Sequence, residues 1–181
     1  MTRLAQINVE RFMNEIALAS QFIPEHYDVI REFGTKDRHV GDDEIPWIPY
    51  VAEGAFWKPL RFDLASGRVW AMLWIQGPGI IGRHQHHGSV VGFVVEGSWY
   101  YKEYDWVATP GSMISEAPGG IHTLVTDHPT GMKSLFITEG VMEFFGEDGG
   151  YAGSQSMFWN IDEYVKHCRK HGLTINDKLF Y

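Results

Sequence analysis

The stretch that decides the fold is Gly79-Ile80-Ile81-Gly82-Arg83-His84-Gln85-His86-His87-Gly88. In an extended strand alternate side chains share a face, so His84 and His86 point one way while Gln85 and His87 point the other. Two imidazoles one pleat apart can chelate a first-row metal ion. A polar strand end beside a turn would read the same, so the surroundings decide. Pro78-Gly79 upstream and Glu96-Gly97-Ser98 downstream frame a strand–turn–strand, with a hairpin expected at Glu96-Gly97-Ser98. Further on, Pro118-Gly119-Gly120-Ile121-His122 brings another histidine at the start of a strand expected over Ile121–Thr126. Antiparallel barrel strands far apart in sequence can lie side by side, which would carry His122 to the pair. His84, His86 and His122 are the candidate metal ligands; His87 adjoins them but faces away.

Outward from this stretch, β signals run almost without pause from Ala55 to about Phe145. Strands are expected at Phe56–Leu64, Arg68–Gln76, Val90–Glu96, Trp99–Trp106, Ser112–Ala117, Ile121–Thr126, Lys133–Glu139 and Val141–Phe145. Gly or Pro punctuates nearly every junction, as in Ser66-Gly67, Pro110-Gly111 and Pro129-Thr130-Gly131. Short strands at regular spacing with turns between them predict an all-β sandwich or closed barrel. Pro59 places its strand at a sheet edge, because proline has no N–H to give to a ladder. The 7 Trp, 8 Tyr and 11 Phe suit a barrel core of large inward side chains. They are equally compatible with a pocket for an aromatic ligand.

The flanks differ from this core. Residues 1–44 read as an N-terminal arm, with short helical turns around Phe12, Ile16 and Leu18-Ala19 that Pro24 interrupts. Lys36 to Glu44 is a charged, exposed connection. The barrel is expected over 45–148, entered by the extended Ile45-Pro46-Trp47-Ile48-Pro49. Residues 149–181 form a C-terminal extension with a short helix. That helix is expected to start at Asn160-Ile161-Asp162-Glu163, a capping-box-like run, and to stop at Gly172. Ile161, Tyr164, Val165 and Cys168 make its apolar stripe, with Cys168 a core residue.

Composition narrows the function. The chain has 181 residues, enough for one domain with a sizeable core. Its formal net charge is -8 and it has no Lys/Arg run, which argues against nucleic acid as a partner. Apolar stretches such as Val90–Val95 are far too short to cross a bilayer, so no membrane partner is expected. Met1-Thr2-Arg3-Leu4-Ala5-Gln6 lacks the apolar segment of a secretory signal, and Cys168 is the single cysteine. The cytoplasm is the expected location.

Gly79…His84-x-His86…Glu96-Gly97, followed by Pro110-Gly111…Pro118-x-Gly120-x-His122, resembles the two defining motifs of the cupin superfamily. The resemblance covers Pro46 to Phe145. It implies a double-stranded β-helix, a jelly-roll barrel holding a metal inside, and an oligomer (dimer or tetramer) paired through barrel faces and N-terminal segments. Each motif is one residue short, between Gly79 and His84 and between Pro118 and His122. A third departure bears on chemistry. Many cupins carry a glutamate ligand shortly after the second histidine, with three or four residues between, where this chain has Val90 and Val91. Glu96 sits at the hairpin and reads as a turn residue. Three neutral histidines are therefore expected around the metal, leaving its charge uncompensated by protein.

A dication held that way favours an anionic, bidentate oxygen ligand such as an enediolate, with a position left for O2. Within the superfamily this site is similar to those of the dioxygenases that cut carbon–carbon bonds beside carbonyls. The Ile45-Pro46-Trp47 entry, the Glu116–His122 element and the C-terminal extension resemble the 2,4'-dihydroxyacetophenone dioxygenases, and more distantly the acetylacetone dioxygenases. The resemblance implies Fe(2+), with zinc, nickel or manganese also accommodated, and a ketone substrate together with O2. A non-enzymatic metal or ligand sensor and an isomerase or hydrolytic enzyme using the metal as a Lewis acid are the competing readings. Several side chains are candidates for supporting roles. Glu116 reads either as an acid orienting a ligand or water, or as an exposed strand residue. Tyr100 and Lys102 share a strand face and are candidates for substrate oxygens, while Trp74, Phe93 and Phe136 are candidates for the pocket wall.

Overall fold

The computed structural model describes residue 32 and residues 34–181, and residues 39–181 form one unit. The helical turns expected between Asn8 and Phe33 fall almost wholly outside the described residues. Eleven strands follow in order: β1 (Ile48–Pro49), β2 (Ala55–Asp63), β3 (Arg68–Ile75), β4 (Gly79–His86), β5 (Val90–Gly97), β6 (Tyr100–Tyr101), β7 (Met113–Glu116), β8 (Ile121–Thr126), β9 (Met132–Glu139), β10 (Met142–Phe145) and β11 (Tyr151–Gln155). Two antiparallel sheets result, ordered β1-β2-β3-β9-β5-β7 and β11-β10-β4-β8-β6. This is the jelly-roll arrangement expected of the sequence. The second sheet runs past residue 148, since β11 pairs with β10.

Alternation along the strands builds the core between the sheets. On β5, Val90, Gly92 and Val94 are buried while Phe93 and Val95 are exposed. Ala55, Ile75, Val94, Ile114 and Met132 from the first sheet meet Ile81, Tyr101 and Leu124 from the second. Each such aliphatic side chain contributes roughly 1.5–3 kcal/mol on burial. The hairpin expected at Glu96-Gly97-Ser98 requires its glycine: Gly97 has φ 68, and a Cβ there would collide with the Gly131 carbonyl.

Two expectations need correction. The strand foreseen over Trp99–Trp106 is cut to Tyr100–Tyr101, because the Tyr104 N–H turns back to the Tyr101 carbonyl and Tyr104 stacks on Trp106 instead. Pro59 does lie where β2 lacks an outer partner, between β1 pairing at Trp57 and a bridge from Phe180 to Phe62. The β2–β3 register shifts between Pro59 and Arg61. The second correction concerns the helix, α1, which spans Met157–His171 and so begins before Asn160. Ser156 is its N-cap, accepting from the Trp159 N–H, and the Asn160 amide donates to the Ser156 carbonyl. Gly172 closes it in the left-handed region, as expected. The Tyr164 and Cys168 side chains of α1 belong with Phe62, Val69 and Trp57 to a second apolar cluster.

Candidate metal centre

Two neighbouring strands position the three histidines. In the β4–β8 pairing His84 lies directly opposite His122, and the register shifts between Ile81 and His84. Ile81 and His84 are both buried although regular alternation would put residues three apart on opposite faces. The bulge at Gly82-Arg83 switches the phase and turns both imidazoles of the HxH inward. His84, His86 and His122 are all buried, and their candidate ligand nitrogens lie within 4.8 Å of one another. Ring centroids are 4.8 Å apart for His84–His122, 5.0 Å for His84–His86 and 5.4 Å for His86–His122.

Protonation and tautomer favour ligation. Burial pushes the pKa of both His84 and His86 down to about 4, so both rings are neutral at neutral pH. His84 Nδ1 lies 2.7 Å from the Gly82 carbonyl oxygen, which can only accept, so Nδ1 carries the proton and Nε2 keeps its lone pair. His122 stacks on the Tyr101 ring at 3.7 Å between centroids.

Glu116 is buried beside these rings and not exposed on its strand. It is the register partner of Val90 across β5 and β7. A carboxylate absent from β5 at Val90 thus stands on the adjacent strand, beside the three histidines. Glu116 Oε2 lies 3.4 Å from His86 Nε2 and 3.3 Å from His122 Nε2, while Oε1 accepts a 2.5 Å hydrogen bond from the Tyr101 hydroxyl. Desolvation raises the carboxyl pKa, but the nearby His122, His86 and Tyr101 groups outweigh it and hold it below the usual range. Neither Glu116 Oε2 nor His122 Nε2 has a hydrogen-bond partner, though both atoms are buried. Buried polar atoms left unpartnered in this way are costly alone and suit a cation among them. The residues present fit a divalent metal.

The other candidates divide. Phe136 lines a cavity that reaches His84 and His86 and opens to solvent. Tyr100 does not line it; its hydroxyl donates to Asp127. Lys102 is exposed beyond β6. Trp74 lies on the outer face of β3, against Trp47 and Phe56, and Phe93 on the outer face of β5. The sequence reading passed over Tyr101, Tyr50 and Gln155, all of which line the cavity. A signal for Tyr101 existed: it alternates with Trp99, and both are buried.

A family profile described as the ChrR cupin-like domain matches residues 35–143. No curated protein matches the chain. Among solved structures, an RmlC-like cupin protein of Ralstonia eutropha JMP134 is similar at 24% identity and TM-score 0.75, over 79% of this chain and 94% of that one. A protein of unknown function with a cupin-like fold, from the same organism, is 23% identical with TM-score 0.68, over 76% and 90%. An acetylacetone dioxygenase from Acinetobacter johnsonii is 15% identical with TM-score 0.64, over 73% and 92%. These likenesses establish a shared fold.

Proposed function

The chain belongs to the ChrR cupin-like domain family, and from that premise we propose that it is a non-haem Fe(II) dioxygenase cleaving a carbon–carbon bond of an enolisable ketone. One observation carries the reading: a largely apolar cavity ends on His84 and His86, buried and neutral, and with His122 beside them no fourth histidine or cysteine joins the group among the described residues. An open coordination position facing a cavity is the mark of a catalytic metal site and not a structural one. Iron, when bound, supplies the Lewis acidity that holds an enediolate and the redox chemistry with O2.

The protein's own groups do the rest. Leu73, Ile81, Leu124 and Phe136 line the cavity and keep water from the reacting carbons. Tyr101 fixes Glu116 through Oε1, leaving Oε2 as the anionic oxygen able to take the proton that an α-hydroxyketone gives up on enolising. The substrate class is an aryl α-hydroxyketone such as 2,4'-dihydroxyacetophenone. Its net reaction, ketone plus O2 to an aryl carboxylic acid plus formic acid, needs no external reductant. A β-diketone is the alternative substrate, the acetylacetone dioxygenase of like fold being the supporting comparison. The test is oxygen uptake by Fe(II)-reconstituted protein against a panel of both ketone classes. Stoichiometric uptake with carboxylate formation is expected; silence across the panel with iron bound would sink the reading.

Glu116 supports a second reading, in which its carboxylate ligates and closes a zinc site of a non-enzymatic, metal-holding barrel. Glu116→Gln separates the two. A lost ligand would strip zinc at micromolar concentration, whereas a supporting role lowers metal affinity 10- to 100-fold and leaves the site filled at higher metal.

A further inference from the structure

Gln155, at the end of β11, is buried and lines the cavity, yet its Nε2 has no hydrogen-bond partner. Its other amide atom is committed: Oε1 accepts a 2.7 Å hydrogen bond from the Tyr50 hydroxyl. Burial raises the Tyr50 pKa, so that hydroxyl keeps its proton and stays the donor. The amide is therefore held with two N–H donors unspent. Strand register fixes where they stand. Gln155 pairs with Met142, and Met142 pairs with His86, so the three residues form one row across β11, β10 and β4 on the inner face. Two strand spacings separate Gln155 from the metal ligand, about 10 Å between Cα atoms. Asn160, also in the cavity lining, has Nδ2 tied to the Ser156 carbonyl and keeps Oδ1 as an acceptor.

We propose that Gln155 is a specificity-determining residue, donating from Nε2 to an oxygen substituent on the far end of a ring whose ketone end lies at the three histidines. The inference rests on the dioxygenase reading and sharpens it. A buried donor without a partner penalises any ligand that leaves it so, which selects against rings lacking that oxygen. A small β-diketone is too short to span the row from His86 to Gln155. A 4'-hydroxyl on an aryl ketone supplies both the acceptor for Gln155 and a donor for Asn160.

The test compares 2,4'-dihydroxyacetophenone with 2-hydroxyacetophenone, which lacks the ring hydroxyl. Binding to iron-loaded protein is followed anaerobically by tryptophan fluorescence, Trp57 being part of the cavity lining, and KM by oxygen uptake. The native protein is expected to bind the hydroxylated ketone roughly tenfold more tightly, the value of one good hydrogen bond. In Gln155→Met that ratio falls to about one. Tyr50→Phe, which frees the amide to rotate, lowers it part of the way and serves should the first variant not fold. Equal affinities in the native protein, or a ratio unchanged in both variants, would overturn the assignment. Preference without oxygen uptake sinks the dioxygenase reading and leaves the assignment standing; binding of neither ketone overturns both.

Discussion

Two buried regions of this barrel are built on opposite principles. The cluster under α1 is apolar throughout: Phe62, Tyr164, Cys168 and Leu179 are fully enclosed, and the one hydroxyl, on Tyr164, is satisfied by the Asn176 N–H. The metal end encloses His84, His86, Glu116 and His122 and leaves two of their polar atoms without partners. The first region stabilises the fold by burial. The second is a cost to the fold, recovered only when something cationic binds. Substitutions should therefore separate stability from metal retention, according to which region they strike.

The largest separation is expected from His122→Ala. With one of three ligands gone, metal retention after gel filtration should be lost altogether, as read by metal analysis. The metal-free variant should melt no lower than the metal-free native protein, because a buried unpartnered nitrogen has been removed. A variant that kept a full equivalent of metal would break the comparison at its root.

Acid comes next. The folded pKa of about 4 for His84 and His86 lies below their unfolded value of 6.5. Between those values the unfolded chain binds more protons, so stability falls as pH falls. The metal-free protein should hold its full stability above pH 6.5 and lose it progressively down to about pH 4, with Glu116 extending the loss on the acid side. Thermal melts across that range check the sign. In the His84→Gln/His86→Gln double variant the slope should flatten, whereas Phe62→Ala should shift the curve down without changing its slope.

Phe62→Ala opens a cavity in the apolar cluster and should cost about 3–5 kcal/mol. Chemical denaturation measures this, and the folded fraction should still hold one metal per chain.

The same contrast explains what the sequence disclosed. Apolar alternation and turn residues are local, so β8 was legible to its ends, and the stripe at Ile161, Tyr164, Val165 and Cys168 was legible as helix. The HxH was legible because its two ligands lie one pleat apart. Glu116 was not. Its place beside His86 and His122 depends on which strand pairs with β5 and in what register, and no local pattern encodes that pairing. Gln155 fails for the same reason, lying two strands from His86. Tyr100 was preferred to Tyr101 because Tyr100 and Lys102 alternate on paper, whereas the chain turns after Tyr101 and leaves both outside.

Ser156 lies on the border between the two regions, and its substitution gives the smallest and sharpest prediction. Its hydroxyl caps α1 and its carbonyl holds Asn160, while its neighbour Gln155 faces the cavity. Ser156→Ala removes the cap alone and should cost about 1 kcal/mol. If the regions are independent, the cost appears in denaturation and nowhere else, because Gln155 is held by its pairing with Met142 and by Tyr50 and not by the helix. The tenfold preference for the ring hydroxyl should then survive in Ser156→Ala. A preference that fell with the cap would mean that α1, and not the strand row, sets the position of the amide, and the two regions would have to be treated as one.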